Sequence, residues 1–186
     1  MSASWRSILK RRCGKHLFEV RSAIKGAGRT MGFIVGFSDD LILFHVLGTD
    51  IFRLNGYTAI RTEDVKDYRD FDKGKFWQNR AARHYKLEPV RPVGVLLTSV
   101  PELLASISKR YPLITIHPER TGLGVCYIGP LLSMTKATFT IDGLDCNAEW
   151  TGPRRFKFTD VTRVDFGGGY EEALAATAPK RPKRKQ

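Results

Sequence analysis

The strongest constraint on the fold is an internal repeat with a spacing of 96 residues. The segment GYTAIRTEDVKDY, at 56–68, aligns with GPRRFKFTDVTRV, at 152–164. A chain of 186 residues is therefore predicted to contain two copies of one unit, each long enough for a modest hydrophobic core. The identical pairs are interpreted as structural positions: Gly56 with Gly152, Asp64 with Asp160, and Val65 with Val161.

The second half has clear helix and strand signals. Ser99 and Glu102 form a capping box with Pro101 in the first turn, which predicts a helix starting there. Runs rich in β-branched and aromatic residues follow, and they predict a meander of strands. These runs are LITIH, VCYIG, ATFTI and RFKFTDVTRVDF, followed by YEEALAATA as a short helix.

The first half repeats this order after a basic N-terminal helix. Its strand candidates are HLFEVRSAI, GFIVGF, LILFHV and YTAIRTEDVKDY. The pair Asn55-Gly56 is typical of a tight turn, which needs positive φ at both positions. A helix is predicted over 73–85, with Trp77, Ala81 and Tyr85 directed inward at i, i+4 and i+8.

These elements predict a mainly β fold with flanking helices, of the α+β class. The favoured architecture is two tandem, strongly bent five-stranded barrels, because closure removes most exposed strand edges. One open sheet shared by both halves is the alternative. The predicted units are 1–88, a linker at 89–98 and 99–178. A basic tail at 179–186 is predicted to be disordered, since it contains no large apolar side chain.

The end of the first copy resembles a late motif of the Sm-like (SH3-like) small barrels, apolar-Arg-Gly-x-x-apolar. Residues 60–65, IRTEDV, fit this pattern with Thr62 in place of glycine, and residues 156–161, FKFTDV, fit it less well. In the early motif, Gly32 fits, and Ile42 stands where the family has asparagine. The resemblance implies a tandem Sm-like protein. It also implies an RNA pocket formed by that asparagine and the Arg-Gly pair, of which only Arg61 is present.

The surroundings of Arg61 are acidic, with Glu63, Asp64 and Asp67 close in sequence. Such carboxylates repel phosphate, so an ion pair between Arg61 and Asp64 or Asp67 is expected instead. The repeated aspartates, Asp64 and Asp160, are expected to hydrogen-bond backbone amides at strand ends. The functional alternative is a pair of carboxylates that bind a cation or act as acid and base.

Positive charge is concentrated at the two ends of the chain. Lys and Arg number 31 against 19 Asp and Glu, a net charge of +12, which favours polyanionic partners. Around 73–86, basic residues alternate with aromatic ones, a pattern that can hold phosphates and stack bases. The candidate nucleic-acid-binding residues are Arg6, Lys10, Arg11, Arg12, Lys73, Lys75, Arg80, Arg83, Lys180, Arg181, Lys183, Arg184 and Lys185.

Other chemistry has little support in the sequence. Three cysteines give no disulfide framework and are expected as reduced thiols in the cytoplasm, and no apolar run reaches the length of a membrane helix. No spacing indicates a metal site, a cofactor or a catalytic nucleophile. The sequence thus favours a non-enzymatic module that binds nucleic acid, RNA before DNA. A protein-interaction or regulatory scaffold, with an acidic protein partner, is the alternative.

Overall fold

The computed structural model describes residues 3–71 and 76–182, with side chains from residue 6 onward. The helices in these ranges are α1 Ala3–Arg12, α2 Trp77–His84, α3 Val100–Ile107 and α4 Gly169–Thr177. The strands of the first half are β1 Leu17–Ser22, β2 Arg29–Phe37, β3 Leu41–Gly48, β4 Arg53–Arg61 and β5 Val65–Asp70. Those of the second half are β6 Ile114–His117, β7 Tyr127–Gly129, β8 Leu131–Met134, β9 Thr138–Leu144, β10 Trp150–Lys157 and β11 Arg163–Phe166.

The strands form one antiparallel sheet that is shared by both halves. Its order is β10-β9-β7-β6-β11-β4-β3-β2-β1-β5, and β8 pairs with β9 off this path. The mainly β prediction is therefore correct, and α3 begins as expected, with Ser99 accepting a hydrogen bond from the Glu102 amide. Two closed barrels are not confirmed, because the sheet is open along its path, as in the alternative of a shared sheet.

The two halves nevertheless repeat one pattern of strand pairing. In the first half β1 pairs with β2 and β5, and β3 pairs with β2 and β4. In the second half β6 pairs with β7 and β11, and β9 pairs with β7 and β10. The order β5-β1-β2-β3-β4 in the first half therefore matches the order β11-β6-β7-β9-β10 in the second.

The halves are joined where the last strand of the second half, β11, meets the fourth strand of the first half, β4. Strand β11 pairs with β6 in its own half and with β4 across the junction, where Phe166 lies opposite Tyr57 and Arg163 opposite Ile60. Strand β4 pairs with β3 on one side and with β11 of the other half on its second side, so neither edge of β4 is free along this pairing. This pairing explains why the sheet continues through the molecule.

A single 3₁₀ turn breaks each of the longest predicted strands. The turns, Thr62–Asp64 and Phe158–Asp160, separate β4 from β5 and β10 from β11. Both end on the repeated aspartate. The runs YTAIRTEDVKDY and RFKFTDVTRVDF therefore each contain two strands, since the chain changes direction at the turn.

The repeated glycines occupy equivalent bulges, and the prediction of a tight turn at Asn55-Gly56 is wrong. Gly56 and Gly152 have φ of +68° and +102° and lie inside β4 and β10. The strand register shifts beside each of them, as in a β-bulge with glycine in the left-handed region. The reversal of the chain occurs earlier, at 49–52, where Phe52 has a φ of +49°.

The largest hydrophobic cluster contains residues from both halves, and each half has a smaller cluster of its own. Leu17 and Phe33 from the first half belong to the same buried cluster as Ile116 and Phe139 from the second. The segment at 89–98 contributes too, because Leu97 is buried in this cluster and its carbonyl accepts a 2.6 Å hydrogen bond from the Ser38 hydroxyl. This connection is packed against the first half along part of its length.

The start of the basic tail is bound to the second half, so its predicted disorder does not hold for residues 179–182. Trp150 Nε1 donates to the Pro179 carbonyl at 2.8 Å, and Arg181 Nε donates to Asp142 Oδ2 at 2.7 Å. Asp142 is fully buried, which makes the guanidinium a structural partner. Residues 183–186 lie outside the described residues. In the described part of the chain, no helix has the length and apolar character to cross a membrane.

Candidate nucleic-acid interface

Helix α2 presents its large aromatic side chains to solvent. Asn79 and Ala82 are its buried residues, whereas Trp77 is 57% exposed and Tyr85, directly after the helix, is 60% exposed. The inward orientation predicted for Trp77 and Tyr85 is therefore wrong. The preceding residue, Phe76, fixes the helix instead by packing edge-on against the buried Phe71 at 5.0 Å.

Three aromatic rings form an exposed cluster beside this helix. The Phe52 ring lies 5.7 Å from the Trp77 ring and 5.7 Å from the Tyr85 ring, centroid to centroid. We call Phe52, Trp77 and Tyr85 the aromatic cluster. Phe52 comes from the turn between β3 and β4, and sequence reasoning missed it because the turn had been predicted at Asn55-Gly56.

The exposed side of α2 is also basic. Arg80, Arg83 and Lys86 are all exposed, and the segment 76–87 contains no acidic residue. Arg83 and Lys86 take part in no ion pair among the described residues. We call the aromatic cluster together with these three cations the α2 face. Lys73 and Lys75, which were predicted to extend it, lie outside the described residues.

The candidate cations of α1 differ in whether they form an ion pair with an acidic side chain. Arg6 pairs with Asp39 at 3.1 Å and Arg12 with Asp70 at 3.3 Å, so these two tie the helix to the first half. Lys10 and Arg11 are exposed and form no ion pair with another described residue. Helix α1 therefore offers three exposed cations, of which Arg6 is paired with Asp39 at the surface.

The candidate cations of the tail are divided in the same way. Lys180 is exposed, whereas Arg181 binds the buried Asp142. Lys183, Arg184 and Lys185 lie outside the described residues. The part of the tail that the structure describes is therefore anchored to the second half, while α1 and α2 belong to the first.

A further basic surface, on β10, was missed by the sequence analysis. Arg154, Arg155 and Lys157 are exposed on this strand, which pairs only with β9 among the described strands. The Arg154 guanidinium carbon lies 3.9 Å from the centroid of the Tyr127 ring, a cation–π contact. The run PRRFK, at 153–157, contains three cations beside an aromatic residue, and this pattern indicates a basic surface.

Arg61 is occupied at the junction between the halves. Its guanidinium donates to the Val161 carbonyl at 2.6 Å and to the Phe158 carbonyl at 2.7 Å. The expected ion pair with Asp64 or Asp67 is not what the structure contains, since Asp64 binds Arg120 at 2.7 Å and Asp67 binds Arg21 at 3.1 Å. Arg61 therefore braces the second half and is not available to a phosphate.

The repeated aspartates do not perform the expected amide-capping role. Asp64 Oδ1 accepts from Arg120, and the Asp160 carboxylate accepts from the Thr159 hydroxyl at 3.5 Å. Burial raises the pKa of Asp64 above its ordinary value, although the neighbouring Arg120 opposes the shift. Across the described residues, no group of three or more acidic, histidine or cysteine side chains is arranged to hold a metal ion.

A polar network braces the same junction from its other side. Asp165 Oδ1 accepts from Thr58 across the junction, and Asp165 Oδ2 lies 2.8 Å from His117 Nε2 and 3.3 Å from Arg163. Burial alone would raise the pKa of Asp165, but the His117 hydrogen bond and the Arg163 charge together lower it. The imidazole is thus held by its neighbours, as expected for a histidine in a strand.

The chain has no match among protein-family models, curated proteins or solved structures.

Proposed function

We propose that this protein is a non-enzymatic module that binds nucleic acid, RNA before DNA, through the α2 face. The observation that carries the proposal is the exposure of Trp77 and Tyr85 beside Arg80, Arg83 and Lys86. Exposed cations attract phosphates, and exposed aromatic rings are the usual platforms for bases. A role in solubility alone would account for the cations. It would leave the exposure of the aromatic side chains unexplained.

A binding role fits the remaining ionisable groups better than catalysis does. The His117 and Asp165 side chains are engaged with Arg163 and Thr58, so their hydrogen-bonding capacity is directed inward. Local desolvation raises the pKa of the Cys126 thiol, although the residue is exposed, and the nearby Asp165 charge adds to this shift. A raised pKa favours the thiol over the nucleophilic thiolate.

The proposal extends to the fold family. The repeated strand order, with a 3₁₀ turn before the last strand of each half, supports two tandem Sm-like or SH3-like units joined through β4 and β11. Arg61, the one residue of the Sm RNA motif that is present, binds carbonyl oxygens at the junction. RNA would accordingly bind on the α2 face and not at the position of the Sm pocket.

The test is binding of a mixed-sequence RNA to the intact chain at two salt concentrations. Phosphate contacts predict affinity that falls steeply as salt rises, and each lost contact with a single strand reduces the log–log slope by about 0.7. The double variant R83E/K86E should weaken binding and flatten the salt dependence.

The matched control is K109E/R110E, which makes the same change in net charge at two exposed residues of the second half. It should bind nearly as tightly as the unaltered chain. Equal losses for the two variants would show that only total charge matters, and the α2 face would lose its role. Absence of RNA binding at low salt would refute the proposal and favour the protein-interaction scaffold.

A further inference from the structure

We infer that the nucleic acid recognised at the α2 face is single-stranded, with unpaired bases stacked on Trp77 and Tyr85. This inference rests on the proposed function and specifies its ligand. The two side chains are more than half exposed, and the Phe52 ring lies at 5.7 Å from each of them. Phe52 thus supports both rings from the protein side while their outer surfaces face solvent.

The backbone around the aromatic cluster is held in an unusual conformation. Of the described non-glycine residues, only Phe52, Lys86 and Ala148 have positive φ. Phe52, at +49°, belongs to this cluster, and Lys86, at +50°, directly follows Tyr85. Bulky side chains rarely occupy this region, because Cβ contacts the backbone there. Such strain is common at ligand-binding positions, and here it places Phe52 against both exposed rings.

The cations of α2 lie where a phosphate chain could follow the stacked bases. Trp77, Arg80 and His84 are spaced at i, i+3 and i+7, so they share one side of the helix, and all three are exposed. Arg83 and Lys86 flank this side. A strand whose bases contact the aromatic cluster would therefore pass its phosphates beside several positive charges, the arrangement used by single-strand binding surfaces.

A duplex fits this surface less well. In a double helix the flat faces of the bases are covered by their neighbours, so aromatic side chains cannot stack on them without unpairing. The major groove of double-stranded RNA is also too narrow for side chains to reach the bases. Only unpaired bases expose the faces that Trp77 and Tyr85 require.

The test compares a labelled mixed-sequence RNA oligonucleotide with the same strand annealed to its complement, using the intact chain. The single strand should bind more tightly. Trp77→Ala should weaken single-strand binding by roughly 5- to 150-fold, the range observed for loss of one stacked base. Trp77→Phe should retain most of the affinity, because it keeps an aromatic ring.

The control variant is Tyr170→Ala, which removes a similarly exposed aromatic ring from α4 and should leave binding unchanged. The salt dependence of Trp77→Ala should match that of the unaltered chain, since no charge is removed. Bound single strands should also quench tryptophan fluorescence in the unaltered chain more than in Trp77→Phe.

The outcomes separate this inference from the function on which it rests. Equal affinity for duplex and single strand, with no loss in Trp77→Ala, would overturn the stacking inference and leave charge-based binding intact. Preference for the duplex would overturn it as well. If neither form binds at low salt, both proposals fail, and the aromatic cluster is better assigned to a protein partner.

Discussion

Gly56 lies at a position where any side chain would be strained and would contact the backbone of Gly168. Its φ is +68°, and a Cβ built on it would lie 2.5 Å from the Gly168 amide nitrogen. Gly56→Ala should therefore lower the free energy of unfolding by roughly 3 kcal/mol or more, from backbone strain plus overpacking. Gly94→Ala is the matched control, with φ of +78° and open space around the position, and should cost about 1 kcal/mol. Equal losses in urea denaturation would contradict the close approach.

Asp165 makes stability depend on pH in the acidic range. Its folded pKa lies below the ordinary value of 3.8, which the unfolded chain retains. The ionised carboxylate therefore stabilises the folded state above about pH 4, and this contribution is lost as the pH falls through the lower folded pKa. Asp165→Asn should reduce stability at pH 7 and flatten its decline between pH 5 and about pH 3. Urea denaturation at each pH would measure the free energy of unfolding. The control variant, Asp160→Asn, should lose stability at acidic pH as the unaltered chain does.

The tail segment at 179–182 acts as a structural element. Arg181 supplies a charged hydrogen bond to the fully buried Asp142. Arg181→Ala should lower the free energy of unfolding by about 1–3 kcal/mol, because a buried carboxylate loses a charged partner. The adjacent exposed Lys180→Ala should have almost no effect. Thermal melting of the two variants distinguishes this anchored tail from one that contributes only charge.

The two end strands of the sheet carry features that discourage pairing with other molecules. Strand β10 contains Pro153 and the exposed cations Arg155 and Lys157, and β5 has four charged residues among six. Proline and charge are the usual protections of an edge strand. The triple variant P153V/R155T/K157T should therefore self-associate, as measured by light scattering. A variant with K109T/R110T should behave like the unaltered chain, and a monomeric triple variant would show that these residues do not protect the edge.

At the scale of the whole molecule, the two halves should unfold together. They share one sheet through the pairing of β4 with β11, and one hydrophobic core contains residues from both. Calorimetry should show a single transition whose van't Hoff enthalpy equals the calorimetric enthalpy. Two resolved transitions would indicate that the junction is weaker than the cores of the halves.

Most of the helices and strands could be predicted from local sequence patterns. Local signals sufficed for α3, whose capping box is present, and for the alternating apolar runs that became strands. The repeated Gly56 and Gly152 correctly marked equivalent positions, because their bulges depend on local backbone geometry. The basic character of α2 was likewise visible, since charge is a property of composition.

The way in which the halves join, and the side chains that are exposed to solvent, depend on long-range packing. The edge of β4 could have paired within its own half, and its pairing with β11 depends on long-range hydrogen bonds that no local pattern encodes. The helical spacing of Trp77 and Tyr85 predicted that both side chains would be buried. In the structure Phe76 packs on Phe71, and Trp77 and Tyr85 are exposed. Arg61 and Arg181 were likewise ordinary cations in the sequence, and became structural when folding placed carbonyl oxygens and a buried carboxylate beside them.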